Sequence, residues 1–118
     1  MRSYNSEPSS QSLALNKPLV ALTDRQKKHL RRLGHALHPL VLVGQRGMTE
    51  GVVSELRQTL HDHELVKVRA RVGDREHRNL VLGKLAADTG SELVHQIGNV
   101  GLLYKKNNKL NKILLPDS

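Results

Sequence analysis

Two glycines enclose a short polar loop that carries an arginine. The loop, Gly44-Gln45-Arg46-Gly47, separates an apolar run from a helix that begins at Thr49. Glycines let a phosphate come close to the main chain, the first amides of a helix attract anions, and a guanidinium donates to two phosphate oxygens at once. The pattern predicts a phosphate clamp, while a plain turn with the same residues stays open as the simpler interpretation.

Basic side chains also recur on one helix and on one strand of the predicted fold. They are Lys27, Lys28, Arg31 and Arg32 on the helix and Lys67, Arg69 and Arg71 on the strand. Such rows can neutralise the phosphates of a nucleic acid. Two simpler interpretations stay open, namely a solvated helix face and a strand edge that charge protects against aggregation.

No residue pattern points to catalysis or to metal binding. The chain has seven histidines and no cysteine, which excludes a cysteine-type zinc site and a thiol nucleophile. His35 and His38 lie three residues apart, and His61 and His63 flank Asp62, but neither pair forms an HExxH motif. We therefore predict a protein without catalytic residues, cofactor or metal, with a small enzyme built on the histidines as the weaker alternative.

The charge balance predicts a polyanionic partner. The 118 residues include 19 Lys and Arg against 11 Asp and Glu, which gives a formal net charge of +8. Phe and Trp are absent, and the two tyrosines are Tyr4 and Tyr104, so a platform that stacks bases on aromatic rings cannot be built. We expect an aliphatic core and a nucleic acid held by its backbone and shape, with base recognition secondary.

No segment of the sequence predicts a membrane location. The longest aliphatic runs, Leu19 to Leu22 and Leu40 to Val43, have four residues each. A bilayer requires roughly 20 such residues, and the first residues lack the apolar stretch of a secretory signal. We expect a cytoplasmic protein that has neither a membrane nor a small-molecule substrate as its partner.

The elements that must position these residues follow the order α-β-α-β-α-β-β. A capping box at Thr23 and Gln26 starts the first helix, which Pro39 is expected to end. Residues 40–43 are apolar at every position, which predicts a strand covered on both faces, with the first helix as a cover. A second helix begins at Thr49, and the polar residues 61–64 form the turn before a strand over 65–72.

The C-terminal half contains one more helix and a hairpin. Asp74 is a suitable cap for the helix, and Gly90 ends it. Strands over 92–97 and 100–105 form a hairpin around Gly98-Asn99. Strand-helix-strand units give parallel pairs and a hairpin gives an antiparallel pair, so we predict an α/β (α+β) domain with three helices and a four-stranded mixed sheet.

The segment from Leu22 to Lys106 closely resembles the CRM domain. The resemblance rests on Pro39-Leu40-Val41, the run Val43 to Val52, His63-Glu64-Leu65 and Leu103-Tyr104, and it is closest to the small bacterial YhbY-like proteins. It implies RNA binding, a fold similar to the C-terminal domain of a bacterial translation initiation factor, and a GxxG loop that holds a nucleic-acid backbone as in KH domains. Stand-alone bacterial members are associated with precursors of the large ribosomal subunit.

Three segments follow from composition and from this resemblance. Residues 1–21 are rich in serine and predict a disordered N-terminal extension, residues 22–106 form the CRM-type domain, and residues 107–118 form a basic C-terminal tail. The extension accounts for +1 of the net charge of +8, so the charge belongs mainly to the folded part.

The expected function is binding of ribosomal RNA in large-subunit precursors by a monomeric protein. By position, Gly44, Gln45, Arg46 and Gly47 inherit the loop function that the resemblance implies, and the basic residues of the first helix match those of the family. The Lys67, Arg69 and Arg71 row would add further charge. The alternative is a protein-interaction module that docks on a ribosomal protein or an assembly GTPase.

Overall fold

A computed structural model describes residues 21–117 and confirms the predicted order of elements. The elements are α1 (Asp24–Gly34), β1 (Pro39–Val43), α2 (Glu50–His63), β2 (Leu65–Ala70), α3 (Arg75–Thr89), β3 (Glu92–Ile97) and β4 (Val100–Tyr104). Apart from residue 21, the predicted N-terminal extension lies outside the described residues. No described helix is long and apolar enough to cross a membrane.

The four strands form one mixed sheet in the order β1-β2-β4-β3, as predicted. β1 and β2 are parallel because α2 carries the chain back between them, whereas β2–β4 and β3–β4 are antiparallel. α2 and α3 pack on one face through Leu56, Leu60, Leu82 and Leu85. α1 covers part of the other face, where Leu30 packs against Leu65, Val94, Leu102 and Tyr104.

Short polar side chains start all three helices. The Thr23 hydroxyl accepts from Gln26 N at 3.1 Å and the Gln26 side chain accepts from Thr23 N at 3.0 Å, which confirms the capping box. Thr49 accepts from Val52 N at 3.2 Å, and Asp74 accepts from His77 N at 2.9 Å. Each cap satisfies an amide that would otherwise lack a partner, so these local signals determine where the helices begin.

The end of α1 differs from the prediction. The helix ends at Gly34, and Pro39 instead begins β1. Gly34 is buried against the sheet, where a Cβ atom would lie 2.8 Å from Leu102 Cδ2. The absence of a side chain at Gly34 thus lets the end of α1 lie against β4.

The prediction that β1 is covered on both faces is wrong. Val41 and Val43 are buried under α2 and α3, but Leu40 and Leu42 are 51% and 53% exposed. β1 is an edge strand, and α1 lies against β2 and β3 rather than over β1. The part of this sheet face that β1 forms is therefore open.

The predicted polar turn over 61–64 is also shorter than expected. His61 to His63 form the last turn of α2, and Glu64 alone connects α2 to β2 with a φ of 66°. Residues 107–117 form no helix or strand, yet Ile113 and Leu115 pack beside Leu30 in the α1 cluster. This part of the tail is docked on the domain.

Candidate nucleic-acid interface

The GxxG loop is a tight turn at the end of β1. Gly47 N donates to Gly44 O at 2.9 Å, which leaves Gln45 and Arg46 exposed at the tip. Gly47 has a φ of 75°, a left-handed conformation that favours glycine. α2 begins three residues later, so the positive end of its dipole lies on the loop side.

The space outside the loop is open. A Cβ atom built on Gly44 or Gly47 would meet nothing within 4 Å. Gly44 therefore does not serve internal packing, and its φ lies outside the left-handed region. Because Gly44 has no side chain, a ligand group has room to approach the main chain of the loop from outside.

Parallel pairing brings Arg71 to the same sheet edge as the loop. Arg71 N donates at 2.8 Å to the carbonyl oxygen of Val43, which is the residue that precedes Gly44. Both Arg46 and Arg71 are exposed, and neither has an ion-pair or hydrogen-bond partner for its side chain among residues 21–117. Two free guanidinium groups thus lie at one edge.

Lys67 and Arg69 lie on the sheet face away from α2 and α3. They alternate with Val66, Val68 and Ala70, which are fully buried in the core under those helices. Both basic residues are half-buried. Arg71, the last member of the row, is exposed and reaches the loop edge.

The basic residues of α1 lie on the same side of the sheet but farther from the loop. Lys28 and Arg32 are exposed, whereas Lys27 and Arg31 are half-buried. Lys27 Nζ pairs with Glu92 Oε2 at 3.7 Å, the one ion pair within residues 21–117. Glu92 is in register with Tyr104 at the opposite end of the sheet from the loop, so Lys27 lies at that far end and is engaged in an ion pair.

Residues 22–105 match the family model of the CRS1/YhbY (CRM) domain. The chain belongs to the CRS1/YhbY (CRM) domain family. This finding confirms the resemblance seen in the sequence. In this CRM domain the matched segment contains all three helices, the sheet and the GxxG loop, and it stops before the docked tail.

Relatives of this CRM domain are named for RNA binding. A protein of Pseudomonas aeruginosa named a probable RNA-binding protein is 45% identical over 95 residues, which cover 80% of this chain and 91% of that protein. A Haemophilus influenzae protein named an RNA-binding protein is 37% identical and covers 83% of this chain and 98% of its own length. The solution structure of a candidate RNA-binding protein from Staphylococcus aureus matches with a TM-score of 0.72 and 31% identity over 81% of this chain and all of the other.

Two arginines of the CRM domain at this edge were not predicted from the sequence. Arg75 and Arg78, in the first turn of α3, line a groove of about 460 Å³ with Asn79, Gln96 and Gly98. The β3–β4 turn reaches the same edge, because Ala70 N donates to Asn99 O at 2.7 Å. The signal available in the sequence was the Asp74 cap, since the strand-to-helix turn after β2 must lie beside the equivalent turn after β1.

Proposed function

We propose that this CRM domain binds structured RNA through its phosphates, and that the RNA is ribosomal RNA in precursors of the large subunit. The observation that carries the proposal is the position of Arg71 next to the GxxG loop. Arg71 N donates at 2.8 Å to the carbonyl oxygen of Val43, the residue before the loop. The names of the relatives support RNA as the ligand.

The loop and its neighbours supply three kinds of phosphate donor. The turn offers main-chain amides next to the start of α2, Arg46 offers a planar pair of donors, and Arg71 adds a second guanidinium. Lys67 and Arg69 continue the charge along the sheet, and Lys28 and Arg32 continue it on α1. Contacts of this kind position RNA without reading its sequence.

The choice of ribosomal RNA rests on the family. The resemblance to stand-alone bacterial CRM proteins implies an association with large-subunit precursors, and this chain matches bacterial relatives over 91% and 98% of their lengths. Crosslinking in cells followed by sequencing of the attached RNA tests the target directly. Crosslinks confined to messenger or transfer RNA would contradict it.

Arg46→Ala tests the loop. We expect affinity for a ribosomal RNA fragment to fall by about 1–3 kcal/mol, because one charge-assisted phosphate contact is lost. The Tm should not change, since Arg46 contacts no described residue through a hydrogen bond or ion pair. Lys84→Ala, an exposed cation on α3, is the matched control and should leave affinity unchanged. Equal affinities for Arg46→Ala and wild type would return the loop to a structural turn.

The alternative function is docking on a ribosomal protein or an assembly GTPase, which the exposed Leu40 and Leu42 favour. Nuclease treatment of a lysate separates the two functions. If RNA is the ligand, digestion should abolish recovery of large-subunit components with the tagged protein. Their recovery after complete digestion would favour protein docking.

A further inference from the structure

One row of residues crosses the open part of the sheet. The strand registers align Leu42 with Arg69, Arg69 with Val100, and Val100 with Ile97, which takes the row across all four strands. Leu42 is 53% exposed and Ile97 is 69% exposed. We refer to Leu42, Arg69, Val100 and Ile97 as the open row.

The cover that α1 provides stops just before the open row. Gly34, the last residue of α1, contacts Leu102, which belongs to the neighbouring row with Lys67 and His95. On its other side the open row borders the loop edge, since Leu42 precedes Gly44 by two residues and Arg69 precedes Arg71 by two. The open row therefore lies between α1 and the proposed phosphate site.

The open row combines aliphatic surface with positive charge. β1, β2 and β4 contain no acidic residue, and the acid of β3, Glu92, lies at the other end of the sheet. Arg69 Nε is buried and has no hydrogen-bond partner in the part of the chain that the structure describes. An occupant of this row should thus offer apolar faces, hydrogen-bond acceptors and negative charge.

We propose that the open row contacts the bases of a single-stranded RNA segment whose phosphates lie at the GxxG loop. The proposal rests on the proposed function and adds the class of RNA. The faces of the bases would lie on Leu42, Val100 and Ile97, and their acceptors would face Arg69. Four strands at about 4.8 Å spacing give a row of roughly 14 Å, which accommodates two or three bases.

Aliphatic side chains can contact the faces of RNA bases without aromatic stacking. Covering Leu42 and Ile97 with a base removes apolar surface from water without needing a ring on the protein. The scarcity of aromatic residues therefore excludes a stacking platform but not base contact. Contact with unpaired bases would thus add to the backbone and shape contacts that the composition predicts.

Single-stranded RNA fits the open row better than a protein segment does. The row is continuous with an edge that carries Arg46, Arg71 and Arg75, so a ligand that covers it meets several cations in succession. A regularly charged strand with an apolar face on each unit matches that arrangement along its whole length. A protein would need acidic side chains in the same succession.

The test compares two ligands that share a backbone. The full chain is titrated with a single-stranded oligouridylate and with an abasic ribose-phosphate oligomer of the same length. The variants are Leu42→Thr and Ile97→Thr, which retain a residue suited to a strand. Leu80→Gln is the matched control, because Leu80 is 69% exposed, like Ile97, but lies on α3.

We expect wild type to bind oligouridylate about three- to tenfold more tightly than the abasic oligomer. Leu42→Thr and Ile97→Thr should lose that preference without a change in abasic binding, and Leu80→Gln should keep it. Arg46→Ala should weaken both ligands.

Two other outcomes would each overturn the proposal in a different way, and a third would refute the function on which it rests. Equal binding of the two ligands by wild type, with Arg46→Ala weaker for both, would refute base contact and leave the phosphate site intact. Unchanged RNA preference in Ile97→Thr, together with lost binding of a purified ribosomal protein, would assign the row to protein docking. Binding of neither oligomer nor of folded ribosomal RNA would refute the proposed function itself.

Discussion

Glu64 is a fully buried carboxylate that holds the C-terminal tail by main-chain hydrogen bonds. Its Oε2 accepts from Asn107 N at 2.7 Å, and its Oε1 accepts from Lys112 N at 2.9 Å and from Ile113 N at 2.8 Å. Its carbonyl also accepts from Lys105 N at 2.8 Å. A carboxylate is the side chain that can accept all three amides, since it has no donor of its own.

Glu64→Gln should therefore lower the free energy of unfolding. One oxygen becomes an NH₂ group that faces amide donors, so at least one buried hydrogen bond is lost, and we expect a cost of about 1–3 kcal/mol in urea unfolding. Hydrogen exchange at the Ile113 amide should accelerate. Glu55→Gln, an exposed change on α2, is the control and should stay within about 0.5 kcal/mol. Equal stability of Glu64→Gln and wild type would show that the three bonds contribute nothing net.

Tyr104 lies beside this carboxylate with its hydroxyl buried. The hydroxyl has no hydrogen-bond partner in the described part of the chain. Burial, and after it the negative charge of Glu64, raises the pKa of Tyr104 above its ordinary value of 10.0. The folded state thus keeps the phenol neutral at a pH at which the unfolded chain ionises.

This shift predicts a loss of stability at alkaline pH. The contribution is fully present below the unfolded pKa of 10.0 and is lost as pH rises through the higher folded pKa. Tyr104→Phe removes the ionisation and an unsatisfied buried hydroxyl, so its unfolding free energy at neutral pH should equal or exceed that of wild type. Urea unfolding at neutral pH and above pH 10.0 measures both effects. A steeper alkaline loss in Tyr104→Phe than in wild type would contradict the assignment.

At the scale of elements, the tail packs on the sheet face beside α1. Gln26, which caps α1, also donates to Pro116 O at 2.8 Å, so the start of α1 and the end of the tail are joined. Ile113 and Leu115 contribute to the same cluster as Leu22 and Leu37, whereas Leu114 between them is 75% exposed. This alternation is that of an extended segment with one side on the domain.

The pair Ile113→Ala and Leu114→Ala tests the docking of the tail. Ile113→Ala should reduce the unfolding free energy by about 1–2 kcal/mol, because a half-buried aliphatic side chain leaves the cluster. Leu114→Ala makes an equivalent change on the exposed side and should stay within about 0.5 kcal/mol. Thermal unfolding of both variants measures the difference. Equal Tm values for the two would contradict a docked tail.

Local sequence signals predicted the helices and strands well. How these elements pack depends on contacts between residues far apart in the chain, which the sequence pattern did not indicate. Thr23, Thr49 and Asp74 are recognisable as caps because each bonds an amide three residues away. The prediction that α1 covers β1 was wrong. The strands that α1 covers are determined by its packing against Leu102 and Val94, which lie far along the chain. The tail could not be placed either, since Glu64 lies 49 residues from Ile113.

At the scale of the whole molecule, the topology brings some of the predicted basic residues together at the loop edge and leaves others at the opposite end of the sheet. Parallel pairing of β1 and β2 brings Arg71 to the end of β1, where the loop with Arg46 begins, which follows from the predicted strand-helix-strand unit. The same topology brings Arg75 to that edge, directly after the Asp74 cap that marks the start of α3 in the sequence. Lys27, by contrast, lies at the opposite end in an ion pair, which no periodicity in α1 could indicate.

This distribution predicts how RNA binding depends on salt. If about five phosphates are neutralised, the logarithm of the affinity for duplex RNA should fall with the logarithm of salt concentration with a slope of about −4 to −5. Arg46→Ala removes one contact and should reduce that slope by about 1. Lys27→Ala should change the slope less, because Lys27 is already paired at 3.7 Å with Glu92, at the opposite end of the sheet from the loop.

Filter-binding or anisotropy titrations at several salt concentrations measure these slopes, with Lys84→Ala as a control of equal charge change. Ile97→Thr should lower affinity for single-stranded RNA at every salt concentration without changing the slope, since a base contact releases no counterions. Comparing the salt slopes of Arg46→Ala and Ile97→Thr thus distinguishes the phosphate site from the open row in one experiment. A wild-type slope near zero would refute the electrostatic model, and a slope altered by Ile97→Thr would show that the open row acts through phosphates instead.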